Sequence, residues 1–92
     1  MVETLSLTGE LTFNTVQSNL KQLVLLLTRS KTNNLKLDLG QVTQCDSAGL
    51  ALLIEAKRLS KQYKKKLEIS GASQAIYALA EFCGVEVVLN DK

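Results

Sequence analysis

Histidine, proline and tryptophan are absent from these 92 residues, and aromatic residues make up only 4% of them. Without histidine, neither the Ser/His/Asp nor the Cys/His nucleophile system can be assembled, and most catalytic zinc sites are lost as well. Cysteine is scarce too. Cys45 and Cys83 are too far apart for a CxxC pair, and two thiols make neither a disulfide framework nor a four-ligand metal site. The expectation is two small buried hydrophobes in a reducing compartment. No basic stretch followed by an apolar run opens the chain, so no signal peptide is read. The longest apolar runs, Leu23 to Leu27 and Leu50 to Ile54, fall far short of the ~20 residues that span a bilayer. The expected compartment is the cytoplasm.

What remains is ordinary globular material: 46% hydrophobic, 22% charged, net charge +2. A chain of this size buries roughly two thirds of its unfolded surface, enough for a core but not for a deep enzyme cleft as well. No linker, repeat or low-complexity segment interrupts it, and residues 1–92 read as one domain.

The apolar spacing gives the element order. Thr4 to Leu11 alternates around Leu5, Leu7 and Leu11, a half-buried strand in which Gly9 suggests a bulge or bend. A helix starts near Asn14 or Thr15, and Val16, Leu20, Leu23, Val24 and Leu27 form its apolar face. Leu35 to Leu39 alternates strictly as a second strand, and Ala48 to Tyr63 is a second helix. Lys66 to Ser70 is a third strand. Ser73 is placed to cap a third helix carrying Ile76, Leu79, Ala80 and Cys83, with Gly84 at its C-terminal turn. Val85 to Leu89 reads as a fourth strand. Strands alternating with helices predict an α/β fold with a mixed, mostly parallel sheet. Alternation within each strand predicts helices packed mainly on one face, the other being wetter.

The chemistry concentrates at Asp46-Ser47-Ala48-Gly49-Leu50, an acid, a hydroxyl and two small residues where a strand ends and a helix opens. Free N–H groups and the helix dipole make that place suitable for an anion or a partner's polar loop. Equally, Asp46 or Ser47 simply caps the helix. The segment has too few glycines for a phosphate-cradling loop of the GxxxxGK type and lacks its lysine. Asp38 and Asp46 have no second group at a spacing that completes an acid/base pair, so no catalytic residue, metal site or cofactor is assigned.

The run Leu37 to Leu53, L-D-L-G-Q-V-T-Q-C-D-S-A-G-L-A-L-L, resembles the signature of STAS domains, named for sulfate transporters and anti-sigma factor antagonists. The resemblance implies a sheet backed by helices over nearly the whole chain. In the antagonist branch a kinase phosphorylates the Ser or Thr just before the motif glycine. That position here is Ala48, which has no hydroxyl, leaving Ser47 as the only phosphosite candidate in the motif. A hydroxyl at the Ser47 position followed by small residue, Gly and L-A-L-L is similar to the small cytoplasmic STAS subunit of the Mla phospholipid transporter. There the Ser47 position is important for pairing with the transporter's ATPase. The resemblance therefore implies a non-catalytic accessory subunit. It would bind the ATPase of an ABC-type phospholipid transporter and, through it, the permease, at the cytoplasmic face of the inner membrane. The alternative it implies is an anti-sigma factor antagonist acting by partner switching. A nucleotide-sensing module is a third reading, for which the sequence offers no base pocket.

The helix after the motif adds to the binding reading. Advancing ~100° per residue, Leu52, Ala56, Leu59 and Tyr63 share a stripe expected to face the sheet, with Leu50 and Ile54 on the opposite side near Ser47. The expected partner surface is Asp46, Ser47, Ala48, Gly49, Leu50, Ile54 and Arg58, with Gly49 and Ala48 allowing close approach. Lys57, Arg58, Lys61, Lys64, Lys65 and Lys66 form a basic cluster, read most simply as a solvated helix C-terminus. With so few aromatics and so small a net charge, no nucleic-acid partner is expected. Leu25 and Leu26, off the main stripe of the first helix, leave room for self-association of the isolated chain.

Overall fold

The structure, a computed structural model, describes residues 2–90. Three strands form one parallel sheet in the order β1 (Glu3–Leu11), β2 (Asn34–Cys45), β3 (Lys66–Ser70). Leu7, Leu11, Leu35, Leu37, Leu39, Leu67 and Ile69 point to one face and are buried. The alternate positions lie on the other face, where Thr4, Ser6, Thr8 and Glu68 are exposed and Lys36 and Asp38 half-buried. Helices α1 (Val16–Arg29), α2 (Ser47–Gln62), α3 (Gln74–Phe82) and α4 (Val87–Asn90) complete the domain, and the leucine face of the sheet meets them in one core. The expected half-open α/β layer is what forms, because period-2 alternation supplies only one apolar face.

β2 is longer than its alternation suggested. Ser6 pairs with Asp38 but Thr8 with Gln41, and Gly9 pairs with Val42 but Glu10 with Gln44. Each step adds one residue to β2, so its core-facing positions run Leu39, Val42, Cys45 while those of β1 run Leu7, Gly9, Leu11. The irregularity expected at Gly9 is there, its φ being 75°, and the extra residues lie across from it in β2. The strand continues to Cys45 through a stretch whose apolar spacing of three conceals it.

Three further expectations change. Val85 to Leu89 is not a strand: Val85, Val88 and Leu89 pack inward while Val87 is exposed, a helical spacing that ends in the single turn α4. Cys83 is exposed, because it is the C-cap of α3 and the chain turns away at Gly84; Cys45 is half-buried. Leu26 packs against the core, which leaves Leu25 as the exposed leucine of α1.

The helix ends follow simple rules. The Ser73 hydroxyl accepts from the Ile76 N–H at 3.2 Å and opens α3. α3 closes with Gly84 N–H donating to the Glu81 carbonyl and Val85 N–H to the Ala80 carbonyl, with Gly84 at φ 74°. α2 closes in the same way: Lys64 N–H donates to the Lys61 carbonyl and Lys65 N–H to the Ser60 carbonyl. In α2, however, the left-handed residue is Lys64, at φ 58°.

Candidate functional site

Asp46 is the joint of the motif. One carboxylate oxygen accepts from the Gly49 N–H at 2.9 Å and so caps α2. The other accepts from the Phe13 N–H at 3.1 Å, in the loop between β1 and α1. Its own N–H donates to the Leu11 carbonyl at 3.3 Å. One side chain thus fastens the end of β1 to the start of α2. Stabilisation of the carboxylate by the Gly49 N–H, then by that of Phe13, holds its pKa below the ordinary aspartate value. An acid so fixed in its ionised form is a structural anchor and not a general base.

Gly49 is the second half of the joint. A Cβ there would lie 2.0 Å from the Leu11 carbonyl oxygen and 2.8 Å from its carbon. The close approach that the motif glycine permits is therefore to this chain's own β1. Gly49 is buried and offers no surface to a partner.

The buried face of α2 is centred on Gly49, Leu53, Ala56 and Ser60, with Leu50 and Leu52 beside it. Relative to the expected stripe this is a rotation of about 60°. It comes from two small residues, Gly49 and Ser60, that a search for apolar positions passes over. α2 packs against α1, α3 and α4 as well as the sheet, so its buried arc is wide and takes in Leu50, which is 2% exposed. Leu50 belongs to the core and leaves the partner surface, and Tyr63 leaves the core.

Ser47, Ala51, Ile54 and Arg58 lie at i, i+4, i+7 and i+11 on the face of α2 that is left open, all of them exposed. Ile54 is 39% exposed. The Ser47 hydroxyl makes no hydrogen bond among the described residues, since Asp46 does the capping. Ala48, beside it, is half-buried. Arg58 grips Glu55 in a two-pronged pair, Nε to Oε1 and Nη2 to Oε2, both 2.7 Å. This pairing lowers the Glu55 pKa and raises that of Arg58, so each group holds the other in its charged form.

Phe13 was missed in the sequence. It is 78% exposed, and its backbone is tied to the residue that precedes Ser47. The signal was there: one of only two phenylalanines, set in the polar turn Thr12-Phe13-Asn14 where no strand or helix stripe needs it. Phe13, Ser47, Ala51 and Ile54 give this end of the domain an apolar surface around a free hydroxyl. Beside it a shallow open depression is lined by Glu10, Thr12, Asn14, Gln44, Cys45 and Asp46. Among the described residues no three His, Cys, Asp or Glu side chains are grouped to hold a metal ion. Burial, then the Asp46 charge, raises the Cys45 pKa, so this thiol stays protonated and is a poor nucleophile.

A family model described as "Mlab, STAS domain" matches residues 2–90. This chain belongs to the STAS-domain family. The STAS fold is also seen in a solved structure, that of a sulfate transporter family protein from Wolinella succinogenes. It superposes with a TM-score of 0.74 at 21% identity, over 96% of this chain and 70% of the other. No curated protein is similar enough in sequence to count as a relative. STAS domains are in general non-catalytic regulatory modules, and no helix among the described residues is long and apolar enough to cross a membrane. In this STAS domain the D-S-A-G-L motif divides by depth: Asp46, Gly49 and Leu50 hold the fold, and Ser47 faces outward.

Proposed function

We propose that this STAS domain is a non-catalytic accessory subunit of an ABC-type phospholipid transporter, docking on the transporter's cytoplasmic ATPase. The observation that carries the reading is the free Ser47 hydroxyl at the head of an exposed stripe, Ser47, Ala51 and Ile54, with Phe13 next to it. The family description supports it, as does the alanine at the position where the antagonist branch carries its phosphorylated residue. Ser47 would give a hydrogen bond at the centre of the contact, Ile54 and Phe13 the apolar area, and the Arg58–Glu55 pair a polar rim. ATP hydrolysis lies in the partner. Binding favours the folded, assembled ATPase over its free form, since a ligand shifts an equilibrium only through differential affinity. The subunit would sit at the cytoplasmic face of the inner membrane through this contact, serving the maintenance of outer-membrane lipid asymmetry.

The test is affinity purification of the tagged protein from its own cells in mild detergent, with mass-spectrometric identification of what is retained. The wild type should recover an ABC ATPase and its permease, and Ser47→Arg and Ile54→Asp should lose both. Recovery of a sigma-factor-binding kinase, with phosphate on Ser47, would overturn the transport reading in favour of partner switching. A self-associated chain with no ATPase would likewise count against it.

A further inference from the structure

The end of the domain away from the Ser47 stripe is basic, and two loops distant in sequence build it together. The Lys65 ammonium donates to the Ser30 and Thr32 carbonyls, both at 2.9 Å, and the Lys66 N–H donates to the Asn33 carbonyl at 2.7 Å. The loop after α1 is thereby clamped to the loop after α2. Lys57 is also engaged, through the Leu67 carbonyl at 2.6 Å. Part of the basic cluster is therefore structural. Arg29, Lys31, Lys61, Lys64 and Lys66 remain: all are exposed, and none has an ion-pair partner among the described residues. Tyr63 stands among them, 40% exposed. The acids of the adjoining strands are Glu3, which holds the Ser30 hydroxyl at 2.6 Å, and Glu68, on the open sheet face beside Lys36.

The backbone adds a second observation. α2 and α3 end in the same hydrogen-bonded turn, and its left-handed residue is Gly84 in one and Lys64 in the other. A side chain with a Cβ is strained at φ 58°, and glycine is the usual occupant. A lysine held there, at the crest of a basic surface, is costly to the fold, and such outliers point to use.

We propose that this end of the domain is a peripheral binding surface for an anionic lipid bilayer. Five exposed cations in and beside two clamped loops suit a flat, fluid, negatively charged surface, which demands no groove. Single-stranded nucleic acid would instead need a row of stacking aromatics along a channel, and Tyr63 is alone. Tyrosine at such an edge settles at headgroup level. α2 is 16 residues long, so its two ends are about 24 Å apart, and lipid at the Lys64 end leaves Ser47 free, the two surfaces approaching only at Arg58, one turn from Lys61.

The experiment is vesicle co-sedimentation of the full chain. It compares phosphatidylcholine vesicles with equimolar phosphatidylcholine–phosphatidylglycerol vesicles, and about 0.1 M salt with about 1 M, where the screening length drops from about 10 to about 3 Å. Binding is expected only to the anionic vesicles and only at the lower salt. Lys64→Gly should weaken it about fivefold, and Lys61→Gln, Lys64→Gly and Lys66→Gln together about a hundredfold. Lys64→Gly should at the same time raise the melting temperature by about 3–6 °C, so lost binding cannot be put down to lost folding. Three results each overturn the proposal: no preference for anionic vesicles, binding untouched in the triple variant, or capture of a single-stranded oligonucleotide in place of vesicles. None of these residues belongs to the Ser47 stripe, so this result and the docking result are read separately.

Discussion

Replacing Gly49 by alanine tests the joint directly. The added methyl would sit 2.0 Å from the Leu11 carbonyl oxygen and 3.0 Å from the Leu11 side chain. The first of these is backbone, so no rotamer change relieves it. The head of α2 must retreat from β1 by more than an ångström, and the Asp46–Leu11 and Asp46–Phe13 hydrogen bonds span that gap. Losing two such bonds costs about 1 kcal/mol each, and forcing volume into a filled site costs about 1–3 kcal/mol. Alanine returns about 1 kcal/mol through its better helix propensity. The net loss is about 2–4 kcal/mol. In a urea titration followed by circular dichroism the midpoint should fall by roughly 1.3–2.7 M, with m about 1.5 kcal/mol/M for a chain of this size. Gly40→Ala is the control: its Cβ would meet only the Asp38 carboxylate, a side chain that can move, at 3.2 Å. If Gly49→Ala keeps the wild-type midpoint, or if the two variants fall equally, the close approach of Gly49 to β1 does not hold α2 in place.

Three other outcomes follow from the same structure. Leu50→Ala should cost about 2–5 kcal/mol, because a core leucine is removed, whereas the exposed Ile54→Asp should unfold close to wild type; chemical denaturation of both would show whether the two are divided by depth. The Asp46 carboxylate has a lowered folded pKa, so its share of stability is complete above the ordinary aspartate value of about 3.9 and is lost as pH falls through the folded value. Asp46→Asn should therefore be less stable at neutral pH and show a shallower acid slope; an unchanged slope would remove the anchor role. Finally, Cys83 is exposed while the Cys45 thiol is half-buried with a raised pKa. One thiol should react promptly with an alkylating agent in the native protein and the second only slowly, Cys83 being the first by peptide mapping.

The sequence disclosed those parts of the molecule in which one apolar period runs unbroken. β1, β3 and the face of α1 follow directly from Leu5, Leu7 and Leu11, from Leu67 and Ile69, and from Leu23 and Leu27. Reading failed where two periods meet or where small residues carry the packing. β2 changes step after Leu39 at its bulges, and Val85 to Leu89 satisfies a strand by its valines and a helix by its burial. The motif itself was visible, but not its inside and outside. Gly49 and Ser60 lie on the buried face of α2 without being apolar themselves, and with helices packed around α2 as well as the sheet Leu50 is turned inward. Phe13 reaches the site through a hydrogen bond between residues 33 apart in the chain, which no local pattern encodes.

The register of the sheet has a consequence for motion. β3 stops at Ser70, opposite Asp38, so from Gly40 to Cys45 the central strand is laddered to β1 alone, with its other edge unpaired among the described residues. Half of the sheet is three strands wide and half is a two-stranded ribbon, and the ribbon ends at Asp46. Amide protons from 41 to 45 should accordingly exchange with solvent sooner than those from 35 to 38, through openings that leave the rest of the fold intact. A partner gripping the Ser47 end would quiet those openings and give up some of its contact energy in doing so, gaining in return a surface that can adjust as it docks.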